Sequence, residues 1–172
     1  DFIHFDLINF VSYNMGRATL YGLEIEVSQQ LGKGFSTFAN YTFQKSKTRD
    51  DPFVENFLIP EDRDFNEIPA LPKHKINFGL QHKGSTGQKI ALYGRYVSSQ
   101  KVIYNNNTLY NTDLTIRTQK SYFTADFEVT YPLTKNFHIL GYLHNIFDKK
   151  YRERFGYPAA GRNWGIGIKG IF

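Results

Sequence analysis

This sequence predicts an all-β chain of antiparallel strands, of the kind that crosses a membrane as a β-barrel, and three observations predict it. Apolar and polar residues alternate with a period of two along most of the 172 residues. The breaks between the alternating runs are short and long in turn. Aromatic residues gather near the ends of the runs, and Phe, Tyr and Trp make up 17% of the chain, too many for a disordered sequence. No run approaches the roughly 18 apolar residues of a spanning helix. The negative mean hydropathy looks soluble, yet a membrane β-barrel spans lipid with only every second residue apolar.

Residues 2–5 read as the possible end of an earlier strand. From Tyr21 the odd positions are Tyr21, Leu23, Ile25 and Val27, and the even ones Gly22, Glu24, Glu26 and Ser28. At 3.6 residues per turn the four apolar residues would scatter; at period two they share a face. Leu31-Gly32-Lys33-Gly34 is a turn. The next strand sets Phe35, Thr37, Ala39, Tyr41 and Phe43 against Ser36, Asn40, Thr42 and Gln44, with Phe38 out of pattern. Residues 45–72 break the alternation, with Pro52, Pro60, Pro69 and Pro72 and the charged run Glu61-Asp62-Arg63-Asp64. A loop of that length is functional or disordered.

Alternation returns in Ile76, Phe78 and Leu80 against Lys75, Asn77 and Gln81, and the 83–87 stretch turns the chain. Ile90, Leu92 and Tyr96 then oppose Lys89 and Arg95, with Tyr93 on the polar side. After an irregular stretch at 105–108, Phe123, Ala125, Phe127, Val129 and Tyr131 oppose Thr124, Asp126, Glu128 and Thr130. The 132–136 stretch is a turn, residues 137–147 a further strand, and residues 164–172 the last. That makes seven strands, or eight with the first. Short turns fall near 32, 85 and 134 and long ones near 58, 107 and 155, the pattern of short periplasmic turns and long extracellular loops. Several strands exceed the 5–6 residues usual in a soluble β-sandwich.

Alternation alone does not say whether the apolar face meets lipid or a dry protein core. The test is where Leu23, Ile25, Val27, Phe127 and Val129 lie. Tyr21, Tyr41, Phe43, Tyr96, Tyr131 and Trp164 near strand ends point to interfacial girdles. The charges on the other face (Glu24, Glu26, Lys75, Lys89, Arg95, Asp126, Glu128) suit a hydrated lumen.

Other chemistry is sparse. There is no cysteine, which excludes disulfides, thiolate metal sites and thiol nucleophiles. The net charge is +5, but the basic residues do not gather as a nucleic-acid surface would require, so no nucleic-acid partner is expected. Lys45, Lys47 and Arg49 stand where a strand enters a long loop, suited to lipopolysaccharide phosphates, an anionic ligand or plain solvent. Gly165-Ile166-Gly167-Ile168-Lys169-Gly170 matches a dinucleotide fingerprint in letters, but no helix follows it. His4, His74, His82, His138 and His144 are too scattered for a metal, and none is expected. Asp1-Phe2-Ile3-His4 has neither an initiator Met nor a basic leader, so the chain reads as mature, processed or cut from something longer.

One block goes further. Asn145-Ile146-Phe147-Asp148-Lys149-Lys150-Tyr151, then Gly156-Tyr157-Pro158-Ala159-Ala160-Gly161-Arg162, then a strand ending in Phe172, resembles the C-terminus of TonB-dependent outer-membrane receptors. Asn14-Met15-Gly16-Arg17-Ala18 followed by Gly22-Leu23-Glu24-Ile25-Glu26, and Pro72-Lys73-His74-Lys75-Ile76-Asn77, resemble earlier strands of that family. Phe172 resembles the signal read by the barrel assembly machinery, with Gly167 in a favoured place and Gly170 a departure from it. Physically, Asn145 ends a strand, Asp148 caps backbone N–H groups, Tyr151 anchors the turn at the interface, and Gly161 lends backbone freedom before the last strand. Arg162 completes the block.

The resemblance implies residues 1–172 as the C-terminal part of a 22-strand barrel, with the plug and earlier strands elsewhere. It implies a bacterial outer-membrane transporter, not an enzyme, with no intrinsic cofactor. The transported ligand would be scarce, such as cobalamin, toward which the 156–162 block leans, or a ferric siderophore; haem and glycans stay open. Implied partners are outer-membrane lipid and lipopolysaccharide, the TonB complex through the plug, the assembly machinery and the remaining strands. By loop position, Phe57, Arg63, Asn105, Asn107, Tyr110 and Arg154 are the expected ligand contacts. The alternatives are a small self-contained barrel, structural or an enzyme using a rim site near His74 and Asp113, and a soluble β ligand-binding module.

Overall fold

The strands of the computed structural model follow from the alternation. It describes residues 3–6, 11–14, 16–50, 54, 58–105, 114–154 and 156–171. Thirteen strands appear among them: β1 (Ile3–Asp6), β2 (Val11–Asn14), β3 (Arg17–Gly32), β4 (Phe35–Arg49), β5 (His74–Lys83), β6 (Lys89–Val97), β7 (Gln100–Asn105), β8 (Leu114–Gln119), β9 (Tyr122–Pro132), β10 (Phe137–His144), β11 (Arg152–Arg154), β12 (Tyr157–Pro158) and β13 (Asn163–Gly170). Seven form one meander in the order β13-β10-β9-β6-β5-β4-β3, and three two-stranded hairpins, β1-β2, β7-β8 and β11-β12, accompany it. The seven are the strands that the alternation predicts. β3 and β13 each have one neighbour in the sheet, so it is not closed among the described residues. No helix there is long and apolar enough to cross a membrane, which says nothing of strands.

Three bounds differ from expectation. β3 begins at Arg17, and β4 runs on to Arg49 because its far end is held against the long loop, where Ser46 and Thr48 are buried while Lys45, Lys47 and Arg49 stay exposed. β10 stops at His144, because Asn145 takes a left-handed φ of 50° that a strand cannot continue through. The second and third long loops each fold back as a hairpin of their own.

The chain divides into two compact units. One holds residues 24–42, 74–98 and 121–172. Its register sorts the side chains. Leu80, Leu92, Phe127, Leu143 and Trp164 lie in one cross-strand row, and Ile90, Val129, Gly141 and Ile166 in another. Asn77, Arg95 and Thr124, and Ala91, Glu128 and Tyr142, make rows on the opposite face. A one-residue slip would invert every row, so the pattern fixes the register. Among the described residues nothing seals the apolar face: Ile25 is 47% and Val27 58% exposed, Phe127 and Val129 are half-buried, and Leu23, which continues the same strand as Ile25, is 55% exposed. No large side chain among the described residues is fully buried. A soluble fold would hide such rows at about 25 cal/mol per Å²; here they await another apolar phase.

Phe38, the residue out of pattern, has a physical reason. A Cβ on Gly79 would fall 2.5 Å from its ring, so Phe38 fills the space that glycine leaves on the polar face, beside Tyr93. Gly94 does the same on the apolar face for the Phe78 ring, which stacks on Phe123 at 6.2 Å.

The other unit holds residues 1–23, 43–73 and 99–120. Its long loop is tied down rather than loose. The Ile68 N–H donates to Ser46 Oγ at 2.8 Å, the Thr48 N–H to the Asn66 carbonyl at 2.7 Å, and the Ala70 N–H to the Lys101 carbonyl at 2.7 Å. Pro60–Asp62 forms a 3₁₀ turn, and Val54, Leu58 and Val102 are buried.

Candidate functional site

In the second unit, the tethered loop and the β7-β8 hairpin enclose a cleft of about 370 Å³. Asp62, Asp64, Glu67, Lys73, Lys101 and Thr118 are among its walls. Five of the six are tied by hydrogen bonds or an ion pair. Asp62 Oδ2 accepts the Ile116 N–H at 2.7 Å, which joins the 3₁₀ turn to β8. Lys73 Nζ pairs with Glu67 at 2.9 Å, and Lys101 Nζ donates to Thr118 Oγ1 at 3.1 Å. Carboxylates, ammoniums and hydroxyls within one cleft suit a polar, multiply hydrogen-bonding guest. No group of three or more His, Asp or Glu among the described residues could hold a metal ion.

The expected ligand contacts fare unevenly. Arg63 lies in this loop, but its Nε donates to the Leu58 carbonyl at 3.3 Å, and it lines a smaller cleft of about 180 Å³ with Thr48, Arg49 and Asp64. Asn105 ends β7 opposite Leu114. Arg154, exposed, closes β11 opposite Tyr157 in the other unit. Phe57, Asn107, Tyr110 and Phe172, and Asp113 of the enzyme alternative, lie outside the described residues. His74 Nδ1 shares a 2.9 Å hydrogen bond with the Tyr41 hydroxyl, and the rings stack at 6.0 Å. The acidic run beside Pro60 signalled Asp62 and Asp64. Nothing in the sequence signalled Gln100 or Lys101, which reach the cleft through hairpin pairing.

The block at 145–162 holds a connected set of polar contacts in the first unit. Asn145 is 4% exposed. Its N–H donates to Asp126 Oδ1 at 2.7 Å, its Nδ2 donates to the Lys149 and Ala160 carbonyls at 3.0 and 3.2 Å, and its Oδ1 accepts the Lys149 N–H at 2.9 Å. Asp148, also left-handed with a φ of 50°, accepts the Arg162 N–H at 2.8 Å and Lys150 Nζ at 3.2 Å. Those two contacts, the backbone one first, hold the Asp148 carboxyl below the usual carboxylate range. The Tyr151 ring packs on Tyr122 at 4.4 Å, and desolvation raises its hydroxyl above the ordinary phenol value. Phe147, exposed, rests its ring 5.9 Å from Phe123.

Gly161 corrects the sequence reading. Its φ is not positive, so backbone freedom is not its reason. A Cβ there would stand 2.8 Å from Asp148 Oδ1, so glycine is needed for closeness to the cap. Gly167 has open space around it, opposite Leu140.

A protein-family model described as TonB dependent receptor-like, beta-barrel matches residues 1–146. Among solved structures, the pyoverdine outer membrane receptor FpvA from Pseudomonas aeruginosa PAO1 is 18% identical with a TM-score of 0.72, over 95% of this chain and 23% of that one. The ferric-catecholate import receptor Fiu from E. coli K12 is 18% identical with a TM-score of 0.70, over 99% and 23%. The ferric yersiniabactin uptake receptor FyuA from Yersinia pestis is 19% identical with a TM-score of 0.66, over 94% and 25%. At that identity the likeness is one of fold. The chain spans about a quarter of the length of these structures. No curated protein matches it.

Proposed function

The chain belongs to the TonB-dependent receptor β-barrel family, and on that premise we propose that it is the C-terminal wall of an outer-membrane import receptor. Residues 1–172 make one part of a 22-strand barrel whose plug and remaining strands lie elsewhere. The observation that carries this is the sheet's two-faced register, an uncovered apolar face backed by a charged one. Unpaired strand edges are untenable in hydrocarbon, so β3 and β13 call for further strands. That favours a share in a larger barrel over a small self-contained one.

The cargo is a ferric siderophore before cobalamin. The similar structures are named for pyoverdine, ferric-catecholate and ferric yersiniabactin, and the cleft by Asp62, Glu67 and Lys101 offers hydrogen-bonding partners for such molecules. Phe57, Arg63, Asn105, Asn107, Tyr110 and Arg154, singled out by their loop positions in the sequence, are further contacts. Import is driven by TonB acting on the plug, and the chain itself performs no catalysis. The assembly machinery reads the last strand, with Gly167 and Phe172 in the signal.

Uptake by cells with and without the gene tests this. A panel of iron-labelled siderophores and labelled cobalamin is offered under iron limitation. Loss of uptake of one ferric siderophore, restored by the gene and abolished by deleting TonB, is the expected result. Unchanged uptake of every siderophore with loss of cobalamin transport would move the cargo to cobalamin, and no TonB-dependent loss at all would overturn the reading.

A further inference from the structure

In the seven-stranded sheet, the described residues at apolar-face positions include no Asp or Glu. They include Lys or Arg at four places only: Arg17 on β3, and Lys45, Lys47 and Arg49 on β4. All four stand at the long-loop ends of their strands, within one compact unit, and all four are exposed. Alternate spacing puts the three β4 cations on one face.

The other face of that stretch is already engaged. Gln44 Nε2 donates to the Pro72 carbonyl at 2.9 Å, Ser46 Oγ accepts from Ile68 at 2.8 Å, and Thr48 is 4% exposed. With those side chains turned into the loop, the cations are held on the outward side. None of the four has an ion-pair partner among the described residues.

Their height along the strand is also informative. The ring-bearing positions on this face of β4 end at Tyr41 and Phe43, and Lys45 is the eleventh residue from Phe35. A tilted strand crosses the hydrocarbon in roughly 9–11 residues, so Lys45 reaches the edge of the apolar layer. At about 3.3 Å per residue and a tilt of about 45°, Lys45 to Arg49 climb about 9 Å. A headgroup layer is about 5–8 Å thick on each side. Lys45 and Lys47 therefore lie at the depth of lipid phosphates and Arg49 at the outer edge of that layer, outside any lumen; Arg17 stands beside them, since a Cβ on Gly16 would fall against the Arg49 carbonyl. Guanidinium and ammonium groups make short charge-assisted bonds to phosphate oxygens.

We propose that Arg17, Lys45, Lys47 and Arg49 form a binding site for the phosphate groups of outer-leaflet lipopolysaccharide. The site holds the glycolipid against this flank of the wall. The proposal rests on the reading of the chain as an outer-membrane barrel wall.

The test uses the complete receptor purified from its own outer membrane in mild detergent, with bound glycolipid quantified by its hydroxylated fatty acids and phosphate. Wild type keeps the glycolipid at low salt and loses it in high salt. The K45Q/K47Q/R49Q variant binds more weakly by about fivefold per cation removed, about a hundredfold in all. Adding R17Q weakens binding further, and K75Q/K89Q on the polar face leaves it unchanged. Enzymatically dephosphorylated lipopolysaccharide fails to rebind to wild type. Equal retention by the triple variant would overturn the site, and so would full displacement by millimolar inorganic phosphate, which marks a general anion site. Heat-modifiable migration of each variant in the outer-membrane fraction reports folding. Its absence in wild type would sink the barrel reading itself, whereas normal insertion with unchanged lipid sinks this inference alone.

Discussion

Asn145→Asp will destabilise the rim loop at least as much as Asn145→Ala, although it changes one amide to one carboxylate of the same shape. The alanine variant loses three side-chain hydrogen bonds. It leaves the Lys149 N–H without its acceptor and two carbonyls without their donor, together about 3 kcal/mol. Holding a φ of 50° without Asn or Gly costs about 1 kcal/mol more. The aspartate variant keeps an acceptor for Lys149, but turns its second oxygen toward two carbonyl oxygens at a position only 4% exposed. Asn145→Gly relieves the backbone and restores no bond, so it should fall between wild type and alanine. The measurement is the temperature at which the receptor loses heat-modifiable migration, read beside protease cutting within 149–161. Equal stability of all four proteins would show that the bonding of Asn145 is incidental.

The same staple carries an acid dependence. Asp148 has a folded pKa below its unfolded value, near 3.9. Its contribution is therefore full above about pH 4 and lost as pH falls through the folded pKa. Protease cutting within 149–161 should rise in that acid window in wild type, and Asp148→Asn should flatten the response.

Leu92→Arg, in mid-sheet on the apolar face, should cost about 2–4 kcal/mol in a bilayer. Glu128→Lys, on the charged face, should stay within about 0.5 kcal/mol. Both positions are solvent-exposed in the isolated chain; Leu92 is 45% exposed. The difference would come from lipid on one side and water on the other, since neither substitution empties a packed core. Urea titration of the receptor refolded into vesicles reads it. A small cost for Leu92→Arg would mean that this face meets water.

The fold was legible wherever one face is apolar. Leu23, Ile25 and Val27, or Phe127 and Val129, declare a two-residue period because the environment differs on the two sides. Where both sides are polar the period carries no contrast. That is why Lys45-Ser46-Lys47-Thr48-Arg49 reads as loop while β4 continues through it. The end of β10 was hidden for another reason: hydrogen bonds to partners as distant as Ala160 and Asp126 hold Asn145 left-handed. The cleft was half legible. Asp62 and Asp64 stand out in their acidic run, but Gln100 and Lys101 join them only because β7 pairs with β8 and the Ala70 N–H finds the Lys101 carbonyl.

The central claim is that alternate residues of one strand face lipid and water. The chain has no cysteine, so single cysteines placed along β9 of a receptor whose other cysteines are replaced report without background. In the native membrane, cysteines at Asp126, Glu128 and Thr130 should react with a charged, impermeant thiol reagent. Those at Phe123, Ala125, Phe127 and Val129 should resist it, while labels there are quenched from the lipid phase. Reactivity that is uniform along the strand, or that favours the odd positions, would contradict the account.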